Sequence, residues 1–286
     1  MKQKDTHTPI ISVVMPVHNA AAYVSQAIES ILNQTFTDFE FIILDDYSTD
    51  DSLTIIKKWS KTDSRIKVIS NTKKPGVSSA ANQLHAAAQG MYIARMDADD
   101  ISEPTRLEVQ LLVFKKYPKT VAVGSQCTVI DENNATIGEK TFPTKPSDIK
   151  KMSGYLYPVQ QPSVMFATKR IPSDFVWYDE SLSSAEEHEL LFKLMQFGDI
   201  RNTKESLLQY RLHATNTSKV HPKKDYSAIL RARITGFTTY GVPLTAKAVV
   251  LNIVQFIFVS LLPEKALFSI FSLLRGMNRK ETAYEK

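Results

Sequence analysis

Cysteine occurs once, at Cys127, so an intrachain disulfide and any zinc or iron–sulfur site built on several cysteines are excluded. A reducing compartment is acceptable to such a chain. Glycine is scarce as well, with 9 in 286 residues and no two of them two or four apart. That spacing removes the G-x-G-x-x-G dinucleotide loop and the G-x-S-x-G nucleophile elbow. The one G-x-x-x-x-G, from Gly236 to Gly241, is followed by Val242 where a phosphate-binding loop needs Lys. Histidine offers no H-E-x-x-H zinc motif, because His188-Glu189 is followed at the fifth place by Phe192. Met1 to Pro9 has no apolar core of a secretory signal, which points to a cytoplasmic protein. No apolar run reaches the ~20 residues that span a bilayer. The longest, Ala248 to Leu262, is interrupted by Asn252 and Gln255 on one face.

With 43% hydrophobic and 23% charged residues, the chain has the composition of a folded globular protein with one large or two smaller domains. The net charge of +5 is unevenly placed: from Lys219 onward there are 11 Lys/Arg against 4 Asp/Glu, and before it 24 against 26. A basic tail suits an acidic surface, either anionic lipid or nucleic acid. Here the charge accompanies apolar stripes rather than stacked aromatics or a recognition helix, so the tail is expected at a membrane surface and not on nucleic acid. In one such stripe Leu267, Phe268, Phe271 and Leu274 share a face, followed by Arg275, Arg279 and Lys280. Helical packing or a homodimer is the other use of that face.

Periodicity alternates over the first hundred residues. Apolar runs at Ile10 to Met15, Phe39 to Leu44, Ile66 to Ile69 and Met91 to Met96 read as buried strands. Between them, helical spacing runs from Tyr23 to Leu32, over Leu53, Ile56 and Trp59, and from Val77 to Gln89. This βαβαβαβ order predicts a mostly parallel sheet flanked by helices, with ligands at the carboxyl ends of its strands. Further on, a helix after Pro104, strands at Thr120 to Ile130, Ser163 to Thr168 and Ser206 to Leu212, and a helix at Glu186 to Phe197 are expected. Asn133 to Lys151 and Tyr155 to Pro162 read as loops.

Two of the strands end in acid: Asp45-Asp46, and Asp97-Ala98-Asp99-Asp100. Taken alone, such clusters are also turns and helix caps. Two of them at one sheet edge repel unless a cation or a hydrogen-bonding ligand lies between them. In an extended segment Asp97 and Asp99 face one way and Asp100 the other, an oxygen pair that suits magnesium or manganese with coordination positions left for substrate phosphates. Arg95 and Arg106 either reach phosphate or pair with Asp100 and Glu103.

The run Val13-Val14-Met15-Pro16-Val17-His18-Asn19, the block Ile31-Leu32-Asn33-Gln34-Thr35-Phe36, the turn Asp45-Asp46-Tyr47-Ser48-Thr49-Asp50 and the stretch Ile93 to Asp100 followed by Pro104-Thr105-Arg106-Leu107-Glu108 resemble the family 2 glycosyltransferases in order and spacing. Pro162 to Phe166, Glu186-Glu187 and Tyr210-Arg211-Leu212-His213 continue the likeness, which covers about residues 9 to 218. The resemblance implies a glycosyltransferase A-type fold and an inverting transfer from a nucleotide-sugar, a UDP-sugar by preference, to a saccharide or lipid-linked saccharide. It implies Mn2+ or Mg2+ as cofactor, held by Asp99, Asp97 and His213. Nucleotide contacts fall on Pro16, His18, Asn19, Asp45, Asp46, Gly76, Asn82, Asp97 and Arg211. The general base falls on Glu187, with adjacent Glu186 as the alternative, and a helix N-terminus there should favour the ionised carboxylate.

This sequence departs from the family at His18 for a usual Tyr, Ala81 for a frequent Arg, Gln161 for a frequent His and Glu187 for the usual Asp. The altered base position leaves a second reading, a non-catalytic nucleotide-sugar-binding subunit of a polysaccharide assembly. The expected division is a catalytic domain over 1–218, with a nucleotide-binding half over about 9–100 and an acceptor half over 101–218, then a basic helical tail over 219–286. The expected location is peripheral, on the inner face of the cell membrane.

Overall fold

The computed structural model describes residues 7–182, 184–213, 222–263 and 267. Its first half repeats strand and helix: β1 (Ile11–Val17), α1 (Val24–Leu32), β2 (Phe39–Asp45), α2 (Ser52–Trp59), β3 (Ile66–Ser70), α3 (Val77–Ala87) and β4 (Tyr92–Arg95). The second half holds β5 (Ile101–Ser102), α4 (Arg106–Lys116), β6 (Thr120–Ile130), β7 (Thr136–Lys140), α5 (Pro146–Met152), β8 (Met165–Ala167), α6 (Glu186–Leu194) and β9 (Asp199–Arg211). Two helices, α7 (Pro222–Thr238) and α8 (Ala246–Leu261), follow.

All strands join one sheet in the order β3-β2-β1-β4-β8-β6-β9-β5, with β7 paired to the later part of β6 on the edge that β8 uses earlier. The β3-β2-β1-β4 half is parallel, as the alternating pattern predicts. Beyond it the sheet is mixed: β8 runs antiparallel between β4 and β6, whereas β6 and β9 are parallel. β1 and β2 are buried along nearly their whole length because both faces are covered, which is why they read as unbroken apolar runs. Ile11, Val13 and Met15 meet α1, α2 and α4 on one face. Val14, Ile42 and Leu44 meet α3 and α6 on the other. Gly90 lets the chain entering β4 lie against β1: a Cβ there would sit 2.5 Å from the Ser12 amide nitrogen.

The region from Asn133 to Lys151, expected as loop, contains β7 and α5, and β9 begins seven residues before the expected Ser206. β7 is short and carries Gly138, and its pairing with β6 shifts register, so its period-2 signal is weak.

The tail helices fold back on the domain. Asn252 Nδ2 donates to the Gly154 carbonyl (2.8 Å) and Gln255 Nε2 to that of Tyr155 (3.0 Å), while Arg233 Nη1 bonds both side-chain oxygens. The polar face of α8 is thus its docking face. Leu267 is buried beside Tyr226 and Val259, so the expected exposed stripe is corrected at its first residue. Phe268, Phe271 and Leu274 lie outside the described residues, as do Arg275, Arg279 and Lys280.

Candidate active site

The carboxyl ends of β1, β2 and β4 open on one edge, and the loops there are stitched to each other. Asn19, in the left-handed region at φ 50°, accepts from the Thr49 amide (2.8 Å) and donates its own amide to Ser48 Oγ (3.1 Å). The His18 ring Nδ1 meets the Asp46 carbonyl at 2.7 Å, leaving the exposed ring aligned along the loop. Asp46 accepts from Asn71 Nδ2 (2.5 Å) and from the Gly76 amide (3.0 Å). Both carboxylate oxygens of Asp46 therefore hold the loop from Asn71 to Gly76, whose glycine adopts φ 144°. Asp45 is buried and its Oδ1 has no partner among the described residues, a leftover acceptor behind this loop.

After β4 the chain turns rather than staying extended, with the Asp100 amide reaching the Asp97 carbonyl (3.4 Å). The three carboxylates consequently diverge. Asp97 Oδ1 accepts from Arg95 Nε at 3.2 Å, Asp99 Oδ2 lies 2.9 Å from His213 Nε2, and Asp100 Oδ1 accepts from the Arg211 amide at 2.9 Å. Burial pushes the Asp97 carboxyl above its ordinary range, opposed by Arg95 and reinforced by Asp99. Asp100 is raised well above it, by burial first and then by Asp99 and Asp97. Negative charge is therefore crowded here. Two cis ligands of an octahedral cation with bonds of ~2.1 Å stand ~3 Å apart, close to the separation of Asp99 and His213. No group of three or more His, Cys, Asp or Glu side chains converges on one point among the described residues.

Arg211, expected at the nucleotide, is buried beneath the turn. Its Nε donates to the Asp99 carbonyl (2.7 Å), its Nη1 to Asn134 Oδ1 (2.6 Å) and its Nη2 to Gln26 Oε1 (3.0 Å), while the guanidinium lies over Tyr23. It acts as a strut that shapes the acidic turn. Arg106 is fully buried and donates to the Arg95 carbonyl and to Gln110, so neither reading made for it from sequence holds. Asn82 holds the segment opposite, donating to the Tyr178 carbonyl (2.9 Å) and Glu180 Oε1 (3.1 Å). Pro16 lies within β1, paired with Leu44.

Glu186 and Glu187 open α6 after Ala185, which takes the left-handed φ of 66°. No hydrogen bond among the described residues engages either carboxylate. The Glu187 carboxyl is pushed up to about 7, chiefly by burial; Arg95 and Lys140 oppose the shift, while Glu186 and Asp97 add to it. The helix N-terminus, expected to keep this group ionised, is outweighed by desolvation. A chain of hydrogen bonds absent from the sequence reading runs behind it. Tyr157 Oη donates to Gln161 Oε1 (2.6 Å), Gln161 Nε2 donates to Tyr178 Oη (2.9 Å), and Arg95 Nη1 donates to the same oxygen (3.2 Å). The chain ties the partner of Asp97 to the wall beneath Glu187. The tyrosines and Gln161 lie 17 and 4 residues apart, at no motif spacing, so only the fold reveals it. Lys140, beside Gln160 and over the Tyr210 ring, is a further basic group within electrostatic reach of Asp100 and Glu187. Tyr47 presents a half-exposed ring pinned by its hydroxyl to the Lys73 carbonyl.

The model of glycosyl transferase family 2 matches residues 12–172. An O-antigen biosynthesis glycosyltransferase, WbnJ, of Escherichia coli is 34% identical over 217 residues, 73% of this chain and 82% of that one. An uncharacterized glycosyltransferase of Haemophilus influenzae is 28% identical over 240 residues, 81% of this chain and 74% of that one. Among solved structures, S. aureus TarS 1–349 in complex with UDP-GlcNAc superposes with a TM-score of 0.67 at 18% identity, over 85% of this chain and 70% of that one. A mannosyltransferase from Pyrobaculum calidifontis in complex with GDP-Man and Mn2+ gives a TM-score of 0.59 at 14% identity, over 94% and 81%.

Proposed function

Since this chain belongs to glycosyl transferase family 2, we propose that it transfers a hexose or N-acetylhexosamine from a nucleotide-sugar, a UDP-sugar in the first instance, to a saccharide or lipid-linked saccharide with inversion. The observation that carries this reading is an open, unbonded Glu187 carboxylate with a proton affinity near neutrality, in the electrostatic field of the acidic turn that ends β4. A group titrating near the working pH takes up an acceptor hydroxyl proton as the hydroxyl attacks, and that is what a single displacement at the anomeric carbon requires. Glu187 is therefore the base, and Glu186 adds negative charge beside it.

On the donor side, His18 and Tyr47 offer rings to the base. Asp46 fixes the loop from Asn71 to Gly76 that borders it, and Asn19 fixes the turn that carries Tyr47. Asp45 contributes its leftover acceptor, and Pro16 lies one residue before the end of the neighbouring strand. Asn82 and Arg211 position the surrounding loops. A divalent ion, Mn2+ or Mg2+, fits the acidic turn because the raised carboxyls there are relieved by positive charge. Asp99 and His213 would hold it, with Asp97 beside them, and the ion would neutralise charge developing on the leaving diphosphate. The Mn2+ and nucleotide-sugar complexes of the superposed structures support the same reading. The catalytic domain occupies 1–218 and the tail 219–286 serves peripheral attachment at the inner face of a membrane, in the cytoplasm. Release of nucleoside diphosphate from UDP-, GDP- and dTDP-sugars, with and without manganese, tests the reading. Absence of turnover with every donor, with or without candidate glycan acceptors, would leave a binding subunit instead.

A further inference from the structure

The two tail helices present an apolar surface that the core does not use. On α8 the docking residues Ala248, Asn252, Gln255 and Val259 recur at helical spacing and mark the inner face. Val250, Ile253, Ile257 and Leu261 on the opposite face, with Phe256 and Phe258 on its flanks, are each 46–77% exposed. Leu244, just before the helix, and Ile234 on α7 are exposed as well. Large apolar side chains gathered this openly along one helix, rather than scattered singly, mark an interaction surface. From Lys247 to Leu261 the helix carries no further charge.

From α8 we infer that its outer face is an interfacial helix that lies in the headgroup region of an anionic bilayer. A helix of 16 residues is ~24 Å long, shorter than the ~30 Å hydrocarbon core, and no helix among the described residues is long and apolar enough to cross a membrane. Its bonded polar face keeps it parallel to the domain surface, so the apolar side is offered broadside. Charge decides the occupant. Besides the buried Arg233, residues 222–263 contain Lys223, Lys224, Arg231 and Lys247 against Asp225 alone. A second copy of this surface would bring like charge onto like charge. The remaining residues 264–286, with 5 Lys/Arg against 3 Glu, have the same sign. Anionic headgroups are the complement of both the sign and the apolar stripe.

The inference deepens the membrane-surface part of the proposed function and gives its location as α8. The test reads no sugar transfer, so it fails separately from the enzymatic reading. The full chain is sedimented with vesicles of phosphatidylcholine and with vesicles in which part of it is replaced by phosphatidylglycerol, at low and high salt. The wild type should bind the anionic vesicles about tenfold more strongly than the neutral ones and weaken as salt rises. The triple variant Ile253→Gln, Ile257→Gln, Leu261→Gln should lose binding by tenfold or more with an unchanged melting temperature, since these side chains face solvent in the free protein. Lys247→Gln with Arg231→Gln should lower only the anionic preference. The inference is overturned if the wild type ignores anionic vesicles or if the triple variant still binds fully. It is equally overturned if the triple variant converts a dimer to a monomer while vesicle binding persists, which would make the face a contact between copies.

Discussion

Replacing Glu187 by Gln separates two consequences of one half-buried carboxylate. The side chain keeps its size and loses its charge, so the base disappears while the site keeps its shape. Loss of a general base costs typically 10²–10⁴ in kcat, and donor affinity should change little because the group faces the acceptor. The same substitution should stabilise the protein at alkaline pH. The carboxyl titrates at 4.5 in an unfolded chain and at about 7 in the fold, so the native state holds a proton that the unfolded state has released between those values. Stability from this group is complete below pH 4.5 and is lost as pH rises to about 7. A shift of that size corresponds to at most ~3 kcal/mol, and solvent at the partly open rim reduces it to ~1–2 kcal/mol. At roughly 2–4 °C per kcal/mol for a chain of this order, Glu187→Gln should melt a few degrees above wild type at pH 8 and level with it at pH 4.5. Calorimetry across that range, with wild-type kcat/KM rising to a plateau through an apparent pKa near 7, checks both. Equal melting-temperature differences at the two ends, or a Glu186→Gln variant more damaging to kcat than Glu187→Gln, would refute the assignment.

Asp99→Asn exchanges a charged oxygen donor for a neutral one of the same size beside His213, so metal-dependent turnover should vanish while the melting temperature stays within a few degrees; full activity at limiting manganese would remove Asp99 from the ion. Gln161→Leu removes the partner shared by the Tyr157 and Tyr178 hydroxyls; Tyr178 keeps Arg95 and Tyr157 keeps only its longer contact to the Glu187 carbonyl (3.4 Å), so the loss is about 1 kcal/mol for each weakened bond. Denaturant midpoints should fall, and kcat should fall more than KM rises if the chain aligns Arg95 with Glu187; an unchanged kcat would make the chain purely structural. Gly90→Ala places a methyl 2.5 Å from the Ser12 amide nitrogen, closer than any neighbour can yield without moving β1, and should lower stability by more than the ~1 kcal/mol typical of a point substitution. Soluble yield and thermal melting would show it.

What the sequence made legible was whatever repeats or ends in a sharp chemical change. The double-sided burial of β1 and β2 leaves runs such as Phe39 to Leu44 with nothing polar to satisfy apart from Glu40, so their strand character and their parallel order followed from pattern alone. The acidic ends of β2 and β4 stood out because five carboxylates, Asp45, Asp46, Asp97, Asp99 and Asp100, crowd at one edge. The conformation of those ends was not legible. A turn after Met96 diverges Asp97, Asp99 and Asp100, and it is fixed by Arg211, a residue 112 positions from Asp99, whose guanidinium bonds groups from three other segments. Glu187 shows the same limit from the opposite direction. Its place at a helix N-terminus suggested an ionised group, and the local rule was correct about the field but silent about the walls. Tyr157, Tyr178 and Arg95 close around the carboxylate from elements far apart in the chain, and their desolvation exceeds what one turn of helix supplies. The tail shows a related limit: amphipathic spacing reveals that a helix has two faces, not which face the protein keeps. On α8 it kept the polar one, since Asn252 and Gln255 find the open carbonyls of Gly154 and Tyr155, and the apolar face was left for a partner outside the chain.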